Sequence, residues 1–240
     1  MIAAEIVRTL KSLGSPEKAK ILSGFFKCGK GEYGEGDRFL GVTVPEQRAI
    51  AKANRDLPFP EIETLLGNPY HEARLTGLLV LTYAFERADE GRRKAIFDFY
   101  CAHLPAVNNW DLVDVTAPNI VGGYLTEKKL ARRKVLRRFA KSKNLWERRI
   151  AIVSTFTFIR RGDFDDTLAI AELLLSDPHD LIHKATGWML REVGKRDETV
   201  LKRFLDAHAA AMPRTMLRYA IERFSPMERA RFLEKGRIKV

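Results

Sequence analysis

Apolar residues recur at three- and four-residue intervals from one end of the chain to the other, and alternating apolar–polar runs are nearly absent. The pattern predicts helices throughout, about a dozen of them, separated by Pro, Gly, Asn and Asp. Ser15-Pro16-Glu17 opens one helix, with Ser as cap and Pro in the first turn. Val44-Pro45-Glu46, Phe59-Pro60-Glu61, Asn68-Pro69, Asp177-Pro178 and Ser225-Pro226 mark further starts in the same manner. Connections are short except for Gly29 to Val44, a stretch that holds five glycines.

The helical segments repeat. Ala73-Arg74-Leu75-Thr76-Gly77, Arg148-Arg149-Ile150-Ala151-Ile152 and Lys184-Ala185-Thr186-Gly187-Trp188 each place a basic residue three before a small one in an apolar helix. Asp114-Val115-Thr116-Ala117 fills the same slot with an acid. Spacings of roughly 35–40 residues match a two-helix HEAT or armadillo unit. Small residues let neighbouring helices approach closely, and the basic residues then line one side of the stack. The expected fold is all-α: an α-solenoid of about six HEAT-like helix pairs with a basic concave groove. No linker interrupts it, so residues 1–240 are expected to form a single domain, with the terminal pairs as caps.

Composition narrows the function classes. The chain is 45% hydrophobic and 30% charged, as in soluble globular proteins. Its 42 Lys and Arg against 31 Asp and Glu give a net charge of +11, spread along the sequence, which predicts binding to a polyanion. No apolar run approaches the roughly 20 residues needed to cross a bilayer, and Met1-Ile2-Ala3-Ala4-Glu5 does not resemble a signal peptide. Cys28 and Cys101 are far apart and lack metal or redox spacing, so both are expected to be reduced thiols in a cytoplasmic protein.

Within this basic chain, Asn108-Asn109-Trp110-Asp111-Leu112-Val113-Asp114 stands apart. Asp114 follows Trp110 by four residues, so indole and carboxylate share a helical face. Two readings of Asp114 stay open from its surroundings alone: an acid paired with a neighbouring Arg, or a group that stabilises a cation at a nucleic-acid site. N-alkylated purines carry a positive charge that weakens the glycosidic bond, so the base leaves without a protonating acid. One carboxylate could then stabilise the positive charge building on the deoxyribose and place the attacking water. Trp110 and Trp188 could assist through their π faces, whereas a Trp in a helical repeat is more often core. Arg74, Arg148, Arg149, Lys184, Arg191 and Arg218 are candidates to line the groove and hold DNA phosphates; alternatively they are solvated helix faces with packed stems. Of the Arg148/Arg149 pair, one must lie near the inner face, because both run directly into Ile150-Ala151-Ile152-Val153.

These residues resemble those of the bacterial DNA alkylation repair family of HEAT-like DNA glycosylases. The resemblance rests on Trp110-Asp111-Leu112-Val113-Asp114, on Trp146-Glu147-Arg148-Arg149, and on Ile182 to Glu192, the most specific of the three. Phe39-Leu40-Gly41-Val42 with Pro45-Glu46-Gln47-Arg48 is also similar to the family's N-terminal segment. It implies an α-helical solenoid that removes 3-methyladenine and 7-methylguanine from duplex DNA, with Asp114 as catalytic carboxylate; the chain itself is expected to be a monomer. Trp110, Arg149 and Trp188 then belong to the site, no cofactor or metal is required, and the lesion is handled without a deep pocket. The chain departs from the family pattern at Cys28 to Arg38. The glycines there do not form a nucleotide-binding loop, since no strand precedes them and no Lys-Ser/Thr follows. His179 and His183 have the spacing of two metal ligands but no third, so a capping or surface role is expected. Asp163, Asp165 and Asp166 are explained by helix dipole and capping. A non-catalytic HEAT-like module for branched or damaged DNA, and a protein–protein scaffold, are the competing functions. The Trp110, Asp114 and Arg149 set favours the enzyme.

Overall fold

A computed structural model describes residues 2–126 and 128–235. Among them the chain is all-α, and the one extended pairing is an isolated bridge between Arg38 and Tyr70. Two compact units divide it, Met1–Ile120 and Val121–Val240. The first holds α1 (Ala3–Leu13), α2 (Pro16–Phe25), α3 (Val44–Ala53), α4 (Phe59–Leu66), α5 (His71–Arg87), α6 (Glu90–Ala102) and α7 (Trp110–Thr116). After a π-helical segment at Pro118–Gly122, the second holds α8 (Gly123–Leu125), α9 (Lys129–Ala140), α10 (Leu145–Val153), α11 (Phe156–Ile159) and α12 (Asp165–Leu173). It continues with α13 (Asp180–Gly194), α14 (Glu198–His208), α15 (Arg214–Ala220) and α16 (Pro226–Lys235).

The Pro-marked starts hold at α2, α3, α4 and α16. At α2, Ser15 accepts the N–H of Lys18; at α3, Thr43 and Glu46 form a reciprocal capping box. The two Asx-Pro signals fall short of their helices by one physical mechanism. Asn68 Oδ1 accepts the N–H of Tyr70 (3.0 Å) and Asp177 Oδ1 that of His179 (2.9 Å). Each acid or amide closes a local turn before the helix begins, at His71 and Asp180 respectively.

In the first unit α5 is the core. Every residue from His71 to Thr82 is buried, and α1, α3, α4, α6 and α7 pack around it. A helix covered on all sides must satisfy its polar groups internally. Thr76 and Thr82 donate to the carbonyls one turn back. Glu72, 1% exposed, reaches sideways: its carboxylate accepts the backbone N–H groups of Leu40 (2.9 Å), Gly41 (2.8 Å) and Val42 (3.3 Å). That grip fixes the end of the glycine-rich connection. Gly41 itself has φ +82°, and a Cβ there would stand 2.1 Å from the Ser15 carbonyl oxygen, so no other residue fits.

In the second unit α13 takes the central place, with α10, α12, α14 and α15 against it. Gly187 permits the closest approach: a Cβ would lie 2.5 Å from the Met216 carbonyl oxygen of α15. The small position of the repeat is therefore a contact point, as its sequence spacing predicts. The acidic cluster differs from expectation. Asp163 (2.8 Å) and the buried Asp166 (2.5 Å) both pair with Arg132 of α9, itself 2% exposed. Two of the three carboxylates thus serve a buried ion pair rather than only the start of α12. His179 caps α13 by accepting the N–H of Leu181 at its Nδ1 (3.1 Å). Neither Cys28 nor Cys101 is in a disulfide. No helix of the described residues is long and apolar enough to cross a membrane.

Glu72→Gln tests the grip on the loop. An amide supplies one acceptor where two took part and turns its NH2 toward backbone donors. The substitution should destabilise the fold by roughly 2–4 kcal/mol, read as a lower urea midpoint. An unchanged midpoint would mean that other contacts hold residues 40–42.

Candidate functional site

The first turn of α7 carries the central motif. Asn109, fully buried, precedes it and accepts the Trp110 N–H at 2.8 Å. Leu112, Val113 and Thr116 turn into the core of the first unit, which leaves Trp110, Asp111 and Asp114 half-buried on the other side. Trp110 and Asp114 therefore share a partly accessible face, as their four-residue spacing predicts. Trp110 does not stand alone. It stacks on Phe26 at 5.1 Å and 13°, and meets the edge of Phe25, which is 61% exposed, at 5.8 Å.

Behind this face lies a charged network that the sequence does not announce. His71, at the first position of α5 and 2% exposed, is held between two carboxylates. Its Nδ1 meets Asp37 Oδ2 at 2.7 Å and its Nε2 meets Asp111 Oδ2 at 2.8 Å. Phe39 stacks on the ring at 4.6 Å, and Phe26 covers it at 5.0 Å. Burial alone would lower the histidine's proton affinity, but hydrogen bonds and charge from Asp111 and Asp37 outweigh it. The ring is pushed up from 6.5 to about 9, so it is an imidazolium at neutral pH and both nitrogens donate. Burial would likewise raise Asp37. The hydrogen bond and charge of His71, with Arg74 beyond, hold it below the usual carboxylate range.

Arg74, expected at a DNA-facing surface, is 6% exposed. Its guanidinium donates to Asp37 Oδ1 (2.7 Å), Asn108 Oδ1 (3.3 Å) and the Asn68 carbonyl (3.1 Å). It is thus the outer member of the His71 network, and withdrawing it toward a phosphate would strand Asp37. Asp37, Phe39 and Phe26 come from the segment where the chain departs from the family pattern or from its edges.

The second unit carries the remaining candidates. Trp188, half-buried on α13, is tilted against Phe156 at 5.8 Å; Trp146 is buried core. Arg148 pairs with Asp177 at 2.6 Å and donates to the Ser142 and Lys143 carbonyls (both 3.0 Å), tying α10 to the turn before α13. Arg149, 5% exposed, donates to the Leu181 carbonyl at 2.7 Å. Lys184 pairs with Asp180 one turn back at 2.7 Å with 42% of its side chain exposed. Arg191 pairs with Glu222, and Arg218 is exposed on α15. A further basic surface lies on α9, where Arg133, Lys134, Arg137 and Arg138 are all exposed. Its signal is present in the run from Lys128 to Arg138, whose like charges four apart repel one another on an isolated helix. Among the described residues no cluster of His, Cys, Asp and Glu is arranged to hold a metal ion.

A family model described as DNA alkylation repair enzyme matches residues 6–224. Among solved structures, one described as a predicted DNA alkylation repair enzyme from Enterococcus faecalis is 18% identical. The alignment covers 89% of this chain and 97% of that one, with a TM-score of 0.71. AlkD2 from Streptococcus mutans is 15% identical over 88% and 98% of the two chains, with a TM-score of 0.57. The protein smu.31 from Streptococcus mutans UA159 is 14% identical over 100% of both, with a TM-score of 0.52. At these identities the likeness is one of fold. The search of curated proteins gives no match.

The histidine network makes a pH-dependent contribution to stability. A group whose proton affinity is raised by folding stabilises fully below its unfolded value, near 6.5, and the gain is lost as pH rises through about 9. The size is on the order of 3 kcal/mol. Melting temperature should therefore fall between pH 7 and 10 more steeply in the wild type than in His71→Gln. Parallel curves over that range would show that His71 is not charged in the folded protein.

Proposed function

Because the chain belongs to the DNA alkylation repair enzyme family, we propose that it is a monofunctional glycosylase. It excises positively charged N-alkylated purines, 3-methyladenine and 7-methylguanine, from duplex DNA and acts as a monomer. The observation that carries this reading is the pairing of Trp110 and Asp114 on one half-buried face of α7, braced by the His71–Asp111 contact.

The chemistry follows from the lesion's charge. As the C1′–N bond breaks, its electron pair passes to the base and neutralises it, so no general acid is needed. Positive charge develops on the deoxyribose, where Asp114 stabilises it electrostatically. Water adds to C1′ and its proton passes to the carboxylate or to solvent, leaving an abasic site and free base. Trp110, on the same face as Asp114, offers a π face to the lesion and the sugar cation.

Affinity for DNA comes from phosphate contacts. The exposed Arg133, Lys134, Arg137, Arg138 and Arg218, together with Lys184, are suited to them. Arg191, paired with Glu222, contributes from a partly exposed side chain, while the buried Arg149, like Arg148 and Arg74, acts chiefly by holding its own unit's elements. The alternative, a module that binds branched or damaged DNA without cutting, draws on the same cations and makes no use of Asp114.

Binding to undamaged duplex should weaken steeply with salt, with a log–log slope of roughly −0.9 per phosphate neutralised. Replacing Arg133, Lys134, Arg137 and Arg138 together by Gln should flatten that slope. An affinity indifferent to salt in the wild type would remove nucleic acid as the partner.

Asp114→Asn should lower release of 7-methylguanine from methylated duplex by on the order of a hundredfold or more. Duplex affinity should stay equal or rise slightly, since a negative charge leaves a phosphate-binding surface. Near wild-type excision by the variant would exclude Asp114 as the catalytic group. A wild-type protein that binds duplex but releases no base would be the non-catalytic module.

A further inference from the structure

The first unit contains a cavity of about 200 Å³ between α2, the segment Phe39–Val44, α3 and the start of α5. Its walls are mostly apolar, from Ile21, Leu22, Phe26, Phe39, Val42 and Leu75. Lys18, Thr43, Gln47, His71, Glu72 and Asp111 also border it, and two of them, Gln47 and Asp111, each leave a buried oxygen without a hydrogen-bond partner among the described residues. Gln47, 2% exposed, donates its Nε2 to the Val42 carbonyl at 2.9 Å, which fixes the amide and leaves Oε1 unpaired. Asp111 gives Oδ2 to His71 and leaves Oδ1 unpaired. Buried acceptors are nearly always satisfied in folded proteins, and two orphans at one cavity point to an occupant that brings donors.

The chemistry of the walls defines that occupant. Both unpaired atoms are acceptors, so it must carry N–H or O–H groups. The buried donors nearby are already engaged: both His71 nitrogens face carboxylates, and the N–H groups of Leu40, Gly41 and Val42 face Glu72. A phosphate or carboxylate would meet only the exposed Lys18 at the rim and, inside, the two unpaired acceptors, which repel an anion. Formal charges also balance, with Asp37, Glu72 and Asp111 against His71, Arg74 and Lys18, which disfavours an ion. The volume lies below the roughly 300–1,000 Å³ of sites for drug-sized molecules, and two phenyl rings contribute flat apolar surface. What remains is a small, neutral, planar heterocycle with N–H donors.

We propose that this cavity binds a free nucleobase, unphosphorylated and without its sugar. The choice of an alkylated purine as natural occupant rests on the glycosylase reading, under which the cavity holds the excised base beside the face that released it. Asp111 connects the two, since it borders the cavity and adjoins Trp110. A retained base would then act as a product inhibitor.

The test is calorimetric titration of the wild-type protein with 3-methyladenine, with adenosine 5′-monophosphate as the excluded comparison. Saturable one-to-one binding of the base alone is expected. Gln47→Leu should weaken it tenfold or more by removing the acceptor, and Leu22→Trp should abolish it by filling the cavity from the half-buried side of α2. Asp114→Asn, which borders no part of the cavity, should bind as the wild type does. If Gln47→Leu melts early, Leu22→Trp carries the test. No saturable heat at millimolar 3-methyladenine, or full affinity in a folded Leu22→Trp, would overturn the proposal and leave the cavity to water. Excision measured in parallel separates the two ideas: excision without base binding removes only this site, and base binding without excision removes only the glycosylase.

Discussion

A charged imidazole sealed from water is tolerable only between carboxylates, and that requirement at His71 organises the first unit. Asp37 and Asp111 come from segments 34 residues before it and 40 after it, so the ion pairs join the glycine-rich connection, α5 and α7 at one point. The next residue extends the same logic. Glu72 is a buried carboxylate without a cation, and backbone N–H groups of residues 40–42 satisfy it instead. Two adjacent side chains at one helix start thus hold the second half of a connection that has little regular structure of its own. Phe26 and Phe39 exclude water from the histidine, which strengthens each charge–charge contact by lowering the local dielectric. Trp110 then stacks on the outer side of Phe26.

The helices were legible because a 3.6-residue period is a local property, and Pro and Asx residues mark helix starts for local reasons. Where those marks fell short, at α5 and α13, the cause was also local: an Asx turn before the helix. The face shared by Trp110 and Asp114 and the small positions of the repeat, such as Gly187 against α15, were readable on the same basis. The histidine network was not. Nothing near His71 in the sequence identifies it as charged and buried, since its partners arrive only when distant segments close on it. Arg74 and Arg148 looked like lining residues for the same reason, as their partners Asp37 and Asp177 lie 37 and 29 residues away. The basic run of α9 could have been singled out, but an overall excess of +11 made it look like one part of an even distribution.

These placements sort the cations by what each can give up. A guanidinium that leaves a buried carboxylate to reach a phosphate exposes an uncompensated charge, and that cost commonly exceeds what one phosphate contact returns. Arg74 and Arg132 are in that position, and Arg148 also spans two backbone carbonyls. The exposed cations of α9 lean the other way, although Arg133 Nε also lies 3.7 Å from the buried Asp166. Arg133 and Arg137, and Lys134 and Arg138, are like charges one turn apart, so a polyanion relieves repulsion already present. Buried arginines shape the protein, and exposed ones are suited to hold its partner.

The same division separates the two acids of the central motif. Asp111 and Asp114 lie three residues apart on α7, yet Asp111 is committed to the His71 imidazolium, a charge that is present whether or not anything is bound. Its field toward a ligand is therefore largely cancelled. In the proposed reaction positive charge appears only as the glycosidic bond breaks, and a group that stabilises it must contribute more at that moment than before. Asp111 is poorly suited to that task and well suited to fixing the backbone turn from which Trp110 and Asp114 project. An acid neutralised by the fold can position its neighbours, which is the part Asp111 plays on α7 beside Trp110 and Asp114.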